Sequence, residues 1–413
     1  MMRKAVIEEV NAIAKDSLDL IERAFIRIDD GYFTEFRESP SNPSGYVRYK
    51  AKGMLMIPGL INAHTHIGDS FFKDFGVGRS LIELFRPITG LKHRLLESAS
   101  EDLIIKSMRN SAFDMLRCGI TTFADFREGG KRGVMLLKKA IEGLKIRTVI
   151  LGRPDYYFNE DEVVENHAMP EDKIREVDEI LELCDGIGLS GPNEYTDRAM
   201  NELSRLIKIK KKICAIHASE DRYSTNFSLK NFHQSEVERA LKNLDLDFII
   251  HLTQATEEDI ESVSKKNIPV VCCPRANSIL GLGFPPIINM MRKRITVALG
   301  TDNVMLNSAD LFREMDYTSR ILRALERDPS AVSSKDIMKM TTINSAKALK
   351  LDKEIGSIEE GKRADAVFIN MSAKNLESIK DPINAVVHRV RPDDIQAVMV
   401  NGEIAYGSLP TYK

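Results

Sequence analysis

The sequence predicts an α/β protein: a (β/α)8 barrel with a small composite β-sandwich formed from both chain termini. Three observations predict it. Between about residues 57 and 350, short apolar or β-branched runs alternate with longer charged stretches of helical periodicity, as in successive βα units. The short runs number eight, the count that closes a barrel. Hairpin signals recur at both ends of the chain in pieces too short to fold alone.

The eight runs are 56–64, 119–126, 146–152, 185–191, 212–219, 247–253, 268–274 and 295–302. Amphipathic stretches such as 107–119, 200–212 and 257–267 lie between them, each long enough to cross back to the next parallel strand. The interval after the first run is too long for a simple crossover, so 71–90 is expected to form an active-site loop. No G-x-G-x-x-G follows any run, which argues against a doubly wound nucleotide-binding sheet. Outside the barrel, 24–36 reads as a hairpin around Asp30-Gly31, and 356–370 and 395–407 carry the same signature, with an Asn401-Gly402 turn. The resulting division is a composite sandwich from 1–56 and 355–413 around a barrel from 57–354. Segment 3–20 is ambiguous, with a helix as one reading.

Composition narrows the function. Of 413 residues, 43% are hydrophobic and 29% charged, which excludes a disordered chain. Lys plus Arg total 59 against 61 Asp plus Glu, so no basic field exists to hold a nucleic acid polymer. Five cysteines without a C-x-x-C spacing suit reduced thiols in the cytoplasm. The N-terminus lacks the apolar core of a signal peptide, and no stretch approaches the roughly 18 uncharged residues of a membrane span.

The chemistry lies at the strand ends. His64 and His66 are two apart, so on a strand both imidazoles point to one side and can share a metal ion. His217 ends the fifth run, His251 the sixth and Asp302 the eighth. All of them fall at the C-terminal rim, where barrel enzymes keep their active sites. Any one of these residues alone reads as a satisfied core histidine or a helix cap; five in register do not. Glu220 follows His217 by three residues and is a candidate proton shuttle, its plainer reading being an acid in the first turn of a helix. An ion held by imidazole and carboxylate ligands can keep a position open for water, and a catalytic zinc brings that water's pKa to roughly 7.

His64-x-His66, His217-x-x-Glu220, His251 and Asp302, with PGLINAHTH, CPRANS, GTDN and GSIEEGKRADAV, resemble the amidohydrolase superfamily, specifically its mononuclear cytosine deaminase, guanine deaminase and chlorohydrolase-like branch. The resemblance implies a metal-dependent hydrolase of non-peptide carbon–nitrogen bonds that deaminates a purine, pyrimidine or related heterocycle. It makes His64, His66, His217 and Asp302 metal ligands, Glu220 the general acid/base and His251 a group contacting the attacking water or the substrate, with Asp302 also taking a proton from the water. Alternatives are the same site with another leaving group, as in dechlorination or ring opening of a cyclic amide or imidazolone, and a non-catalytic barrel scaffold or metal-binding protein.

Dinuclear relatives bridge two metals with a lysine after the fourth strand; 184–197 contains none, so one divalent ion is expected, zinc ahead of ferrous iron. Where close relatives often have His-Cys-Pro, this chain has Cys272-Cys273-Pro274, so the usual substrates do not carry over. Arg127, Arg153 and Arg275 could clamp an anionic substrate group, unless they pair with acids nearby such as Asp125, Glu128 and Asp155. Glu194 and Asn277 are further candidates for hydrogen bonds to a heterocycle. The expected partner is a small heterocyclic substrate, with a homo-oligomer as the leaning for assembly.

Overall fold

The computed structural model describes residues 4–38 and 44–411. In chain order the strands are β1 (Lys4–Ala14), β2 (Asp19–Asp29), β3 (Tyr32–Arg37), β4 (Val47–Lys50) and β5 (Met54–Pro58). Then come β6 (Leu60–His66), β7 (Ile120–Arg127), β8 (Arg147–Gly152), β9 (Gly186–Leu189), β10 (Ile213–Ala218), β11 (Phe248–His251), β12 (Val270–Cys272), β13 (Val297–Leu299) and β14 (Asp302–Asn303). Last are β15 (Ala366–Asn370), β16 (Ile395–Val400) and β17 (Glu403–Gly407).

The middle group forms one parallel sheet in the order β13-β12-β11-β10-β9-β8-β7-β6-β14. β13 and β14 are two halves of the eighth run, broken at Gly300-Thr301, and they explain how the barrel closes. β13 pairs with β12, while β14 pairs with β6 at the opposite edge. The break is pinned: Thr301 N donates to His64 O at 3.1 Å and to Asn62 Oδ1 at 3.0 Å, and Asn62 Nδ2 donates to Thr301 Oγ1 at 2.8 Å. The crossing helices start on side-chain caps, among them Ser100, Thr196, Ser235 and Thr256.

Closure at this point demands glycine. A Cβ on Gly300 would sit 2.7 Å from His64 Cβ and 2.9 Å from His64 N and O. Backbone cannot yield as a flexible side chain can. Gly300→Ala is therefore expected to cost about 1–3 kcal/mol of stability through overpacking, read as a lower denaturant midpoint, and to displace His64, which moves with its strand.

Both chain ends share a second sheet, in the order β17-β16-β15-β5-β1-β2-β3 with β4 on β1. It closes over a core of its own, where Ile26, Phe33 and Met56 from one end meet Phe368 and Met399 from the other. The Asp30-Gly31 and Asn401-Gly402 turns are formed as expected, with positive φ at all four residues (+51°, +84°, +49° and +74°). Three details differ from the sequence reading. The helix considered for 3–20 is strand β1, whose alternation is hidden by register shifts around Val10 and a left-handed Glu9 (φ +56°); residue 3 lies outside the described residues. The first barrel run divides at Gly59, so that β5 pairs with β15 and β1 in the terminal sheet and only β6 enters the barrel. Within 356–370 the strand is Ala366–Asn370 and not a full hairpin. Among the described residues, no helix is long and apolar enough to cross a membrane.

Candidate metal and catalytic site

The C-terminal ends of β6, β10, β11 and β14 bring four imidazoles and one carboxylate together. The ring centroids of His64 lie 4.8 Å from those of His66 and His217 and 5.8 Å from that of His251. Asp302 Oδ1 is 3.3 Å from His64 Nε2 and 3.6 Å from His66 Nε2. Nitrogens of His64, His66 and His217 lie within 4.8 Å of one another, as do ligand atoms of His64, His251 and Asp302. Phe126 forms the floor, 4.4 Å from His64 and 5.1 Å from His217 between ring centroids. Gly188 makes room for that ring, since a Cβ there would fall 2.3 Å from Phe126 Cδ1.

Hydrogen bonds fix how the rings are turned. His66 Nδ1 is 3.0 Å from Phe126 O, and His217 Nδ1 is 2.8 Å from Leu189 O. Each Nδ1–H is thus donated to a carbonyl, and the Nε2 lone pair is left for the centre. Burial pushes His64 down to about 3 and His217 well below the usual histidine range, so both imidazoles are neutral, the form that binds metal. Both nitrogens of His64 and Oδ2 of Asp302 are buried without a hydrogen bond. Orphaned groups of this kind are costly unless something else satisfies them. A divalent cation fits this donor set.

His251 and Glu220 form the second half of the site. Asn277 Nδ2 lies 3.2 Å from His251 Nδ1 and, as placed, donates to it, which leaves the proton on Nε2, 3.4 Å from Glu220 Oε2. Burial, then the charges of Asp302, Asp221, Glu236 and Glu194, raise the Glu220 carboxyl well above the usual range. His251, Asp302 and Ser219 take positive φ (+75°, +60° and +50°), a left-handed conformation that non-glycine residues adopt sparingly and that here turns side chains at the rim.

These groups open into a cavity of about 720 Å³. The segment 71–90 expected to form an active-site loop does line it, through Leu81, Ile82, Phe85 and Arg86, but part of it is the short helix Leu81–Phe85; Lys92, on the next helix, lines it too. Of the three arginines, only Arg153 reaches the cavity. Arg127 is buried against Glu128 (2.5 Å) and Asp125 (3.3 Å), and Arg275 lies 3.5 Å from Glu314. The three-guanidinium clamp is therefore not assembled, because the neighbouring acids have taken two of its members. Glu194 lines the cavity; Asn277 is buried behind His251, where it orients the imidazole instead of reaching a heterocycle.

Sequence reasoning missed Glu128 and Lys92. Glu128 Oε1 is 2.8 Å from His66 Nδ1, 2.5 Å from Lys92 Nζ and 3.5 Å from Arg153 Nη2. Lys92 also reaches Asn303 Oδ1 at 2.9 Å and Asp69 at 3.4 Å. In the sequence Glu128 reads as a partner for arginines, and its contact with the His66 ring carries no sequence signal.

Comparison with known proteins agrees with this geometry. The Amidohydrolase family model matches residues 55–405. A protein of Methanothermobacter thermautotrophicus, provisionally named an aminohydrolase, is 37% identical over 93% of this chain and 94% of its own. The 5-methylthioadenosine/S-adenosylhomocysteine deaminase of Thermoanaerobacter pseudethanolicus is 30% identical over 94% and 90%. The atrazine chlorohydrolase of Arthrobacter aurescens, solved in complex with zinc, shares the fold with a TM-score of 0.84 at 20% identity, covering 97% of this chain and 94% of that one. The chain belongs to the amidohydrolase family, hydrolases here acting on carbon–nitrogen bonds.

Proposed function

We propose that the chain is a cytoplasmic aminohydrolase that releases ammonia from an amino-bearing purine, pyrimidine or related heterocycle. In this reading His64, His66, His217 and Asp302 hold one divalent ion, with zinc favoured over ferrous iron. The observation that carries the reading is the orphaned His64, buried among two imidazoles and a carboxylate with both ring nitrogens free of hydrogen bonds. The names of the relatives support the leaving group, and five free, buried cysteines suit a reducing compartment.

When bound, the ion supplies Lewis acidity, lowering the pKa of a water from 15.7 to roughly 7. The residues do the rest. Against the penalty of burial, the contact with His64 holds Asp302 below the usual carboxylate range, and it can accept a proton from the water. His251 directs Nε2–H toward the incoming oxygen. Glu220, protonated because of its setting, gives a proton to the ring nitrogen beside the attacked carbon, then carries the water's second proton to the departing amine. The carbon–nitrogen bond breaks with its electron pair on nitrogen, the proton taken by Asp302 returns to Glu220, and one water plus one amino-heterocycle become one oxo-heterocycle plus ammonia.

The test is ammonia release across a panel of amino-purines, amino-pyrimidines and their nucleosides by the zinc-loaded chain. Chloride release or ring opening without ammonia would assign the site to another leaving group. Stripping the ion with a chelator is expected to abolish turnover and lower the melting temperature; zinc at about 100-fold its Kd should restore about 2.7 kcal/mol. An unchanged melting curve would count against the four ligands.

A further inference from the structure

The charges lining the cavity are distributed unequally. Its lysine and arginine residues are Arg86, Lys92 and Arg153. Each already has a carboxylate: Arg86 lies 3.2 Å from Glu160, Lys92 2.5 Å from Glu128, and Arg153 3.5 Å from the same Glu128. Glu194, Asp221 and Glu236 also line the cavity, and none of the three has an ion pair to lysine or arginine among the described residues.

Local hydrogen bonds satisfy only part of this acidic wall. Asp221 caps the helix Arg222–Phe232, its Oδ1 accepting from Tyr223 N at 2.7 Å and Ser224 N at 3.0 Å and its Oδ2 from Ser224 Oγ at 2.7 Å, so that its two oxygens are satisfied. Glu236 Oε2 accepts from Ser219 N at 3.1 Å. Glu194 Oε2 is buried, faces no donor and borders the cavity. Burial, then the neighbouring carboxylates, raise Glu194 against the pull of Ser190 and Arg153, and push Glu236 up to about 8 against that of Ser219 N and Arg239. A cation entering this wall relieves the repulsion, whereas an anion adds to it, in a concave, poorly hydrated space where such terms are large.

We propose that the cavity selects a heterocycle carrying a second, positively charged nitrogen, seated against Glu194, Asp221 and Glu236 while the reacting amino group faces Glu220. The proposal rests on the deaminase reading and adds to it the charge of the substrate. It also runs opposite to the anion clamp that three strand-end arginines suggest, since Arg153 is already engaged by Glu128.

Three probes of one shape decide it: adenosine, 5′-amino-5′-deoxyadenosine and adenosine 5′-monophosphate, titrated calorimetrically into the zinc-loaded, full-length Glu220→Gln variant. The ammonium probe is expected to bind about tenfold tighter than adenosine and the monophosphate more weakly than either. Adding Glu194→Gln should shrink the ammonium advantage, and so should raising the salt concentration. Equal affinities, tighter binding of the phosphate, or no binding by any probe overturns the proposal. Ammonia release by the unaltered chain is read separately. Cation preference without ammonia removes the deaminase reading and keeps the charge assignment; ammonia without preference does the reverse.

Discussion

Glu220→Gln is expected to lower kcat by about 10²–10⁴-fold, the usual range for removing a general acid/base, with the metal content of the preparation unchanged. The argument rests on what distinguishes this carboxyl from the others at the rim. Asp302 is held ionised by the imidazoles around it, whereas Glu220 is raised by burial and by four neighbouring carboxylates. One is suited to bind a cation and the other to hold and release a proton. Glutamine preserves the shape and can still accept a hydrogen bond from His251 Nε2, now 3.4 Å from Glu220 Oε2, but it cannot pass a proton to a ring nitrogen. Metal analysis and a thermal melt on the same preparation separate loss of chemistry from loss of structure. A kcat within about threefold of the parent would remove Glu220 from the mechanism.

The residues that could be read from sequence are those whose position follows from strand periodicity. His64 and His66 share a face because side chains alternate, and His217, His251 and Asp302 reach the same rim because parallel strands end at one level. Register says nothing about which neighbour a long side chain will choose. Arg127 and Arg275 stand at strand ends, yet each turns to an acid, Glu128 or Glu314, that lowers the cost of burying its charge. Lys92 was harder still. It lies on the short helix Leu91–Ser98 within the long insertion, and its partner Asn303 is 211 residues away. A lysine in a polar helix reads as a solvated face, and only tertiary packing makes it 3% exposed. The same limit applies to β1, where a bulge interrupts the alternation that would have identified a strand.

Glu128→Ala is expected to damage both the fold and the metal site. Three cations converge on this buried carboxylate: Lys92 at 2.5 Å, Arg127 at 2.5 Å and Arg153 at 3.5 Å. Against the penalty of burial, Lys92, then His66 and Arg127, hold Glu128 well below the ordinary carboxylate range. Removing one partner of such a buried network costs about 3–5 kcal/mol, because the remaining charges stay buried without compensation. Asp69 and Asp125 can absorb part of that loss, being 3.4 Å from Lys92 and 3.3 Å from Arg127. His66 keeps its bond to Phe126 O but loses the carboxylate beside Nδ1, a change expected to weaken metal affinity by about 10–100-fold. Denaturant unfolding reads the first effect and chelator competition the second. Lys92→Met in the Glu128→Ala background separates them further: it removes one stranded cation, so stability should partly return, while metal affinity should stay low because His66 is still unsupported. Recovery of both together would mean that Lys92, and not the His66 contact, transmits the damage; recovery of neither would mean that the cost lies with Arg127 and Arg153.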